Sequence, residues 1–190
     1  QLIGIKTRLL QLGSLGDYVK VRVGIQVLWD RAYHIRPFSV ENGMIRGKSH
    51  IEEDFEIELA ACKPLICNED FHPYRKDTAD VFVIFPYDVV NGVVSEITFS
   101  NFEQRFPLAG DYLRRNKATI EAAVETLPRK FPEKYNDNYW HLFTRVQNHG
   151  ATYPKILVPM TALDTFASVT FSDQAYCDNA NVFFMILLKK

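Results

Sequence analysis

Two Asn-Gly dipeptides constrain this chain more than any other feature. Asn91-Gly92 separates Val81–Val90 from Val93–Phe99, and Asn42-Gly43 separates Phe38-Ser39-Val40 from Met44-Ile45-Arg46. A two-residue hairpin loop needs φ > 0 at both central positions, which Asn and Gly accept at little cost. Apolar, β-branched flanks around each turn therefore predict two antiparallel hairpins. Pro86 lacks an N–H, so it belongs at an edge, a bulge or a strand end.

Elsewhere the pattern is mixed. Val19, Val21 and Val23 alternate with Lys20 and Arg22, the period of a half-buried strand, and Gly24 then permits a turn. Ala32-Tyr33-His34-Ile35 reads as a second strand. From Pro107 the spacing turns helical: Leu108, Tyr112, Ile120, Ala123, Val124 and Leu127 form an apolar stripe, with Arg114, Arg115, Lys117 and Glu121 largely off it. Pro128 ends that helix, and 130–138 reads as a loop. Lys155–Val158, Phe166–Phe171 and Asn181–Leu188 read as strands. The expectation is an α+β fold, mainly antiparallel β-sheet with one substantial helix at about 107–127 and short helices.

With 190 residues and 47% hydrophobic content, the chain is sized for one domain, or one domain with two lobes. There is no apolar run of about 18 residues, the length a membrane span requires. Cys62, Cys67 and Cys177 are an odd number without a dense framework, which fits reduced thiols in a cytoplasm. Cys62, Cys67 and His72 lie close in sequence, but no Cys-x-x-Cys supports a zinc site. The chain opens on Gln1 and closes on an apolar run, Val182 to Leu188, before two lysines. This reads as a domain excised from a longer polypeptide, against a short protein with a processed N-terminus.

A net charge of −1 hides a strong segregation. Residues 1–40 hold six Lys/Arg against Asp17 and Asp30. Residues 41–70 hold eight acids against Arg46, Lys48 and Lys63, and residues 101–150 hold eight Lys/Arg against six acids. The acidic block should face away from any polyanion, or toward another domain. Catalytic signatures are missing. No glycine-rich turn suits S-adenosylmethionine, and Phe85-Pro86-Tyr87 lacks the Asn/Asp and second proline of an adenine-methylating loop. Phosphate-loop, nucleophile-elbow and His-Glu-x-x-His patterns are absent as well.

An ordered series of short motifs remains. Leu15-Gly16-Asp17-Tyr18-Val19 runs into Val21-Arg22-Val23-Gly24-Ile25-Gln26. Then come Phe85-Pro86-Tyr87, Phe106-Pro107 with Asp111-Tyr112-Leu113, Trp140 to Phe143 with Arg145-Val146-Gln147, and Pro154-Lys155-Ile156-Leu157. Together and in this order they resemble the TaqI-like specificity domain, the target-recognition part of adenine-N6 DNA methyltransferases and fused restriction-modification enzymes. Val27 stands where that family has a threonine after Gly-Ile-Gln. The resemblance implies a bacterial, non-catalytic recognition domain lying over the major groove of double-stranded DNA. Its partner would be a catalytic methyltransferase domain of the same polypeptide, which carries the S-adenosylmethionine and acts on a flipped adenine. The domain itself would hold no cofactor and no metal.

Candidate DNA contacts are cations for phosphates and amide or guanidinium groups for base edges. Gln26 follows Gly24 and is either a base reader or a loop-stabilising amide. Arg31 and Arg36 flank Tyr33 and Ile35, as phosphate contacts or a solvated strand face. Tyr74, Arg75 and Lys76 follow Pro73 in a loop. Arg145 and Gln147 either touch DNA or hold loop carbonyls, and Lys155 lies close by in sequence. Asn179 and Asn181 flank a late turn, where they are suited to adenine edges or to backbone needs. Trp140, Tyr139 and Phe143 read as core before they read as stacking groups. The alternative to DNA recognition is a protein-interaction or scaffold module, in which the acidic block and the aromatics form the partner surface.

Overall fold

The computed structural model describes residues 14–27, 29–67, 79–125, 143–149, 155–160, 168–170, 176–178 and 182–187. In chain order these give β1 (Val19–Val23), helical turn α1 (Asp30–Tyr33), β2 (His34–Glu41), β3 (Met44–Lys48), β4 (Phe55–Glu58), β5 (Cys62–Ile66) and β6 (Val81–Ile84). Then follow β7 (Tyr87–Val90), β8 (Val93–Glu96), α2 (Phe99–Arg105), α3 (Pro107–Arg115), α4 (Lys117–Glu125), β9 (Lys155–Pro159), β10 (Ser168–Thr170), β11 (Tyr176–Cys177) and β12 (Val182–Leu187). The fold is α+β with mainly antiparallel pairing.

Among the described residues, three sheets organise it. A six-stranded sheet runs β11-β5-β6-β2-β3-β4, a four-stranded sheet runs β1-β12-β9-β10, and β7-β8 form a separate hairpin. The pairing of β11 with β5 is parallel. Both Asn-Gly turns form as their chemistry demands: φ is +51° and +78° at Asn42 and Gly43, and +51° and +80° at Asn91 and Gly92. These are the left-handed conformations that a two-residue loop between twisted strands needs.

The main core gathers Tyr33, Ile35, Ile45, Ile57, Leu65, Val83 and Ile84 from the six-stranded sheet and its lead-in, with Phe102, Tyr112, Leu113 and Ile120 from the helices. Tyr112 locks the two halves together. Its ring stacks on Phe55 at 4.3 Å, and its hydroxyl donates to the Ala32 carbonyl at 2.7 Å and bonds the Ser49 hydroxyl at 2.9 Å. Desolvation in this position pushes the Tyr112 phenol well above its ordinary pKa. A second cluster, Ile66, Leu157, Cys177, Val182 and Phe184, fills the inner face of the four-stranded sheet.

Several sequence expectations shift by a few residues, each for a local reason. Ala32 and Tyr33 sit in the helical turn α1, and the strand starts at His34. Complete burial of Tyr33, edge-on to Phe143 at 5.1 Å, outweighs its strand propensity. The run 81–90 breaks at Phe85-Pro86: the Phe85 N–H still donates to the Ala61 carbonyl at 2.9 Å, in register with the β5–β6 ladder, and Pro86 has no N–H to carry the strand further. The run 93–99 ends at Glu96. Thr98 caps α2 by accepting the Asn101 N–H at 3.3 Å, so Phe99 is helical.

The single helix expected at about 107–127 is two helices, α3 and α4, meeting at Asn116, with 126 and 127 outside the described residues. The Asn116 side chain donates to the Tyr112 carbonyl at 2.9 Å and to the Glu52 carboxylate at 3.0 Å. The backbone bonds persist across the junction, Asn116 N–H to the Tyr112 carbonyl at 3.2 Å and Ile120 N–H to the Asn116 carbonyl at 3.0 Å, so the interruption is a local turn of the Asn116 backbone to φ −96° and ψ 1°.

Candidate nucleic-acid interface

The solvent-facing side of the β2–β3 ribbon is set by one irregularity. Arg36 pairs with Lys48 and Pro37 with Gly47, but the register then shifts and resumes at Ser39 opposite Arg46. Phe38 is the extra residue of this bulge, and it is 58% exposed. A bulge twists the strand and re-aims a side chain. Gly47 makes room for it. A Cβ at Gly47 would stand 2.6 Å from the Arg36 carbonyl oxygen and 3.1 Å from the Pro37 Cα. An exposed aromatic thus follows an exposed arginine on β2, with a lysine opposite.

Beside this ribbon lies a cleft of about 440 Å³, lined in part by Asp30, His34, Arg36, Lys48, His50 and Asp178. The backbone explains its shape. The His50 N–H donates to the Arg31 carbonyl at 3.0 Å, folding the end of β3 against α1. Ser49, buried beneath, accepts the N–H groups of Ile51 and Glu52 at 3.2 and 3.1 Å. Asp178 arrives from the far end of the chain, through a parallel bridge to Ile25 and an N–H bond to the Ile66 carbonyl at 3.0 Å. Its carboxylate stands 3.7 Å from His34 Nε2.

The cleft therefore joins cationic donors and carboxylate acceptors at one mouth. Such a set can meet phosphate oxygens and guanine acceptors through the cations, and amino groups of cytosine or adenine through the carboxylates.

Part of the acidic block is engaged in the fold. Asp54 holds Arg46 through bonds of 2.9 and 2.6 Å. Glu52 grips Arg115 at 2.7 and 3.1 Å. Glu58 accepts the Leu108 and Ala109 N–H groups at 2.9 and 3.0 Å, placing a carboxylate on the positive end of α3. Three of the eight acids are thus engaged with arginines or a helix terminus, while Glu41, Glu53 and Glu56 are exposed.

The structure distributes the sequence candidates unevenly. Arg31 and Arg36 are both exposed; Arg36 lines the cleft, whereas Arg31 is not among its lining residues and touches its wall only through the carbonyl that accepts the His50 N–H. Gln26 is half-buried and bonded internally. Its backbone exchanges bonds of 3.0 and 2.9 Å with Thr144, and its side-chain oxygen accepts the Thr144 hydroxyl at 3.1 Å. Gln147 is also tied down, donating through Nε2 to the Val94 carbonyl at 2.7 Å and accepting the Val94 N–H at 3.4 Å. Phe143 is buried among Tyr33, Phe85 and Tyr87, and the Tyr87 hydroxyl accepts its N–H at 2.6 Å.

Arg145 differs from its neighbours. It is exposed, with φ at +64°, in a segment fastened at Phe143, Thr144 and Gln147. Lys155 is placed by its backbone, paired with Thr170 and Ile186. Tyr74, Arg75, Lys76, Asn179, Asn181, Tyr139 and Trp140 lie outside the described residues.

Phe38 and Lys48 were not among the sequence candidates. Phe38 looks like an ordinary strand residue until the register shift is seen, and Lys48 gains meaning only opposite Arg36. Cys62, Cys67 and Cys177 are free and buried, and desolvation pushes the Cys62 thiol up. Among the described residues, no three His, Cys, Asp or Glu side chains are grouped to share a metal ion, and His72 lies outside them. No helix among them is long and apolar enough to cross a membrane. Comparison with protein-family models and with curated proteins finds no match for this chain.

Proposed function

We propose that this domain is the DNA-recognition module of a bacterial, cytoplasmic adenine-N6 methyltransferase or fused restriction-modification protein. It contributes site selection and no catalysis. A catalytic domain of the same polypeptide supplies S-adenosylmethionine and the chemistry. The observation that carries the reading is Arg36 directly opposite Lys48 on the exposed side of β2–β3, at the mouth of the cleft. Two cationic side chains at neighbouring ladder positions present several donors to a phosphate lying across them. The ordered motif series supports the same reading. Arg31 and Arg145 extend the set of exposed cations.

The test is fluorescence anisotropy of the chain with mixed-sequence duplex DNA across a salt series. Binding at low salt should weaken steeply as salt rises, and Arg36→Ala should reduce the slope of log affinity against log salt by about one. Absence of binding at the lowest salt, for a folded chain, would overturn the reading.

A second reading, a protein-interaction module, rests on the outer face of the four-stranded sheet. The register puts Val21, Val23, Ile156, Val158, Phe183 and Met185 on one side, opposite the face that buries Leu157 and Phe184. Val21 is 54% exposed, and the other five are only half-buried by the described residues. Salt separates the two readings, because apolar docking holds or strengthens in salts that weaken phosphate binding.

A further inference from the structure

We infer that the Asn91-Gly92 turn is a self-modification site, whose conversion to isoaspartate loosens the segment that carries Arg145. The site goes beyond DNA recognition and holds whatever Arg145 meets. Its chemistry needs only the chain and water. The Gly92 peptide nitrogen, once deprotonated, attacks Asn91 Cγ. The new N–Cγ bond closes a five-membered imide, the Cγ–Nδ2 bond breaks, and the side-chain nitrogen leaves as ammonia with the peptide proton. Water then opens the ring. Cleavage of the bond from the nitrogen to the Asn91 main-chain carbonyl carbon leaves isoaspartate, and cleavage of the N–Cγ bond leaves aspartate. Glycine has no Cβ to crowd the attacking nitrogen, and asparagine is a thermolabile residue.

Asn42-Gly43 offers the same chemistry, so the fold decides between the two. Both asparagines are exposed and hold φ at +51°. Left-handed backbone puts the following nitrogen on the far side of the Cα–C bond from Cβ. Ring closure therefore waits for the turn to open. Backing sets the cost of opening. β3 pairs with β4 on its other side from Met44 to Gly47, and the Leu59 N–H donates to the Gly43 carbonyl at 2.8 Å. β7–β8 is a two-stranded sheet with four residue pairs, and the pair flanking its turn, Val90 and Val93, is 61% and 63% exposed. A two-stranded hairpin with an exposed tip opens more cheaply than one built into a six-stranded sheet. Asn91 is the faster site.

The consequence follows from what the hairpin holds. Isoaspartate routes the main chain through Cβ and Cγ, adding an atom to a loop whose length fixes the register of both strands. Val94, one pair back from the turn, is the residue that Gln147 clasps through both its N–H and its carbonyl. Tyr87, in the pair farthest from the turn, accepts the Phe143 N–H at 2.6 Å. Arg145 lies between these two fastenings. Modification at the tip thus releases the Gln147 end and leaves the Phe143 end in place.

The experiment holds the 190-residue chain in warm, mildly alkaline buffer, folded in one sample and unfolded in urea in another, and digests each in acid. Fragment mass spectrometry locates the product, and labelling by a protein-isoaspartyl carboxyl methyltransferase counts isoaspartate. In the folded chain Asn91 should convert at least about fivefold faster than Asn42, and in urea the two rates should converge. Asn91→Gly keeps a Gly-Gly turn and should lose the fast label while keeping the slow one. Hydrogen exchange on the aged chain should show weaker protection at Val94, with protection across β2–β3 unchanged. Equal rates in the folded chain, or an intact Asn91 there after the unfolded chain has reacted fully, overturns the site. A gap that persists in urea assigns the difference to sequence neighbours and overturns selection by the fold. Isoaspartate at position 91 with Val94 protection unchanged overturns the link to the Arg145 segment.

Discussion

Gln147 pairs with Val94 as though it were a strand residue. Its amide donates to the Val94 carbonyl at 2.7 Å and accepts the Val94 N–H at 3.4 Å, supplying β8 with a partner on the side away from β7. A side-chain amide has the same donor and acceptor as a peptide unit, so it can satisfy an edge strand and close it to further pairing. Gln147→Ala should therefore cost about 0.5–1.5 kcal/mol of stability, read as a lower urea midpoint, with DNA affinity unchanged in the folded fraction. A selective loss of DNA affinity without loss of stability would instead make Gln147 a contact residue.

Gly47→Ala should be costly for a different reason. The added methyl meets backbone rather than a movable side-chain end, so the β2 bulge has to shift. Overpacking of this kind costs about 1–3 kcal/mol. Thermal unfolding should show that loss, and hydrogen exchange should report weaker protection at Ser39 and Arg46. Unchanged protection there would mean that the ribbon absorbs the methyl elsewhere.

Arg145 occupies the left-handed region with φ at +64°. For a residue with a Cβ that conformation costs about 1–2 kcal/mol, part of which glycine recovers. Arg145→Gly should raise stability by up to about 1 kcal/mol and weaken DNA binding, a trade of function against strain. Calorimetry and anisotropy on the same preparation decide it: stability gained with affinity intact would show that the guanidinium has no ligand.

Acid should loosen the β7–β8 hairpin from α2. Arg105 holds Asp88 through bonds of 2.8 and 3.0 Å and keeps its carboxyl below the usual range, and Arg46 does the same to Asp54. Carboxyls lowered in the folded state stabilise above the unfolded value near about 3.9 and lose that contribution as pH falls through the folded value. Both pairs are largely exposed, so the effect is small and screened by salt. The urea midpoint should drop between about pH 5 and pH 3, and the double variant D54N/D88N should drop less steeply. Equal slopes would remove these pairs from the acid response.

What the sequence shows of this fold depends on how far apart the partners are. The two Asn-Gly turns are legible because the conformation they require is written in two adjacent residues. The apolar stripe from Leu108 to Val124 is legible too, yet the break at Asn116 is not, since it depends on Glu52 reaching across 64 positions. Thr98 capping Asn101 was available locally, and was masked by the β-rich run that precedes it. The candidate site follows the same rule. Arg31 and Arg36 stand out as charges among apolar residues, whereas the value of Lys48 and Phe38 lies in a register shift that no local pattern encodes. Gln26 and Gln147 sit in motifs that suggest contact with a ligand, and their polar groups are taken up by Thr144 and Val94.

The pairing of β1 with β12 carries a practical consequence. Val19 stands opposite Leu187, so residues at the two ends of the described chain are separated by a single ladder spacing of about 5 Å. The described elements between them, from the cleft to the helices, lie on a path whose entry and exit are side by side. A host protein that accepts such a path needs to open its own chain by no more than a hairpin's width. A segment cut at Val19 and Leu187 can therefore be set into a surface turn of another protein with short joints.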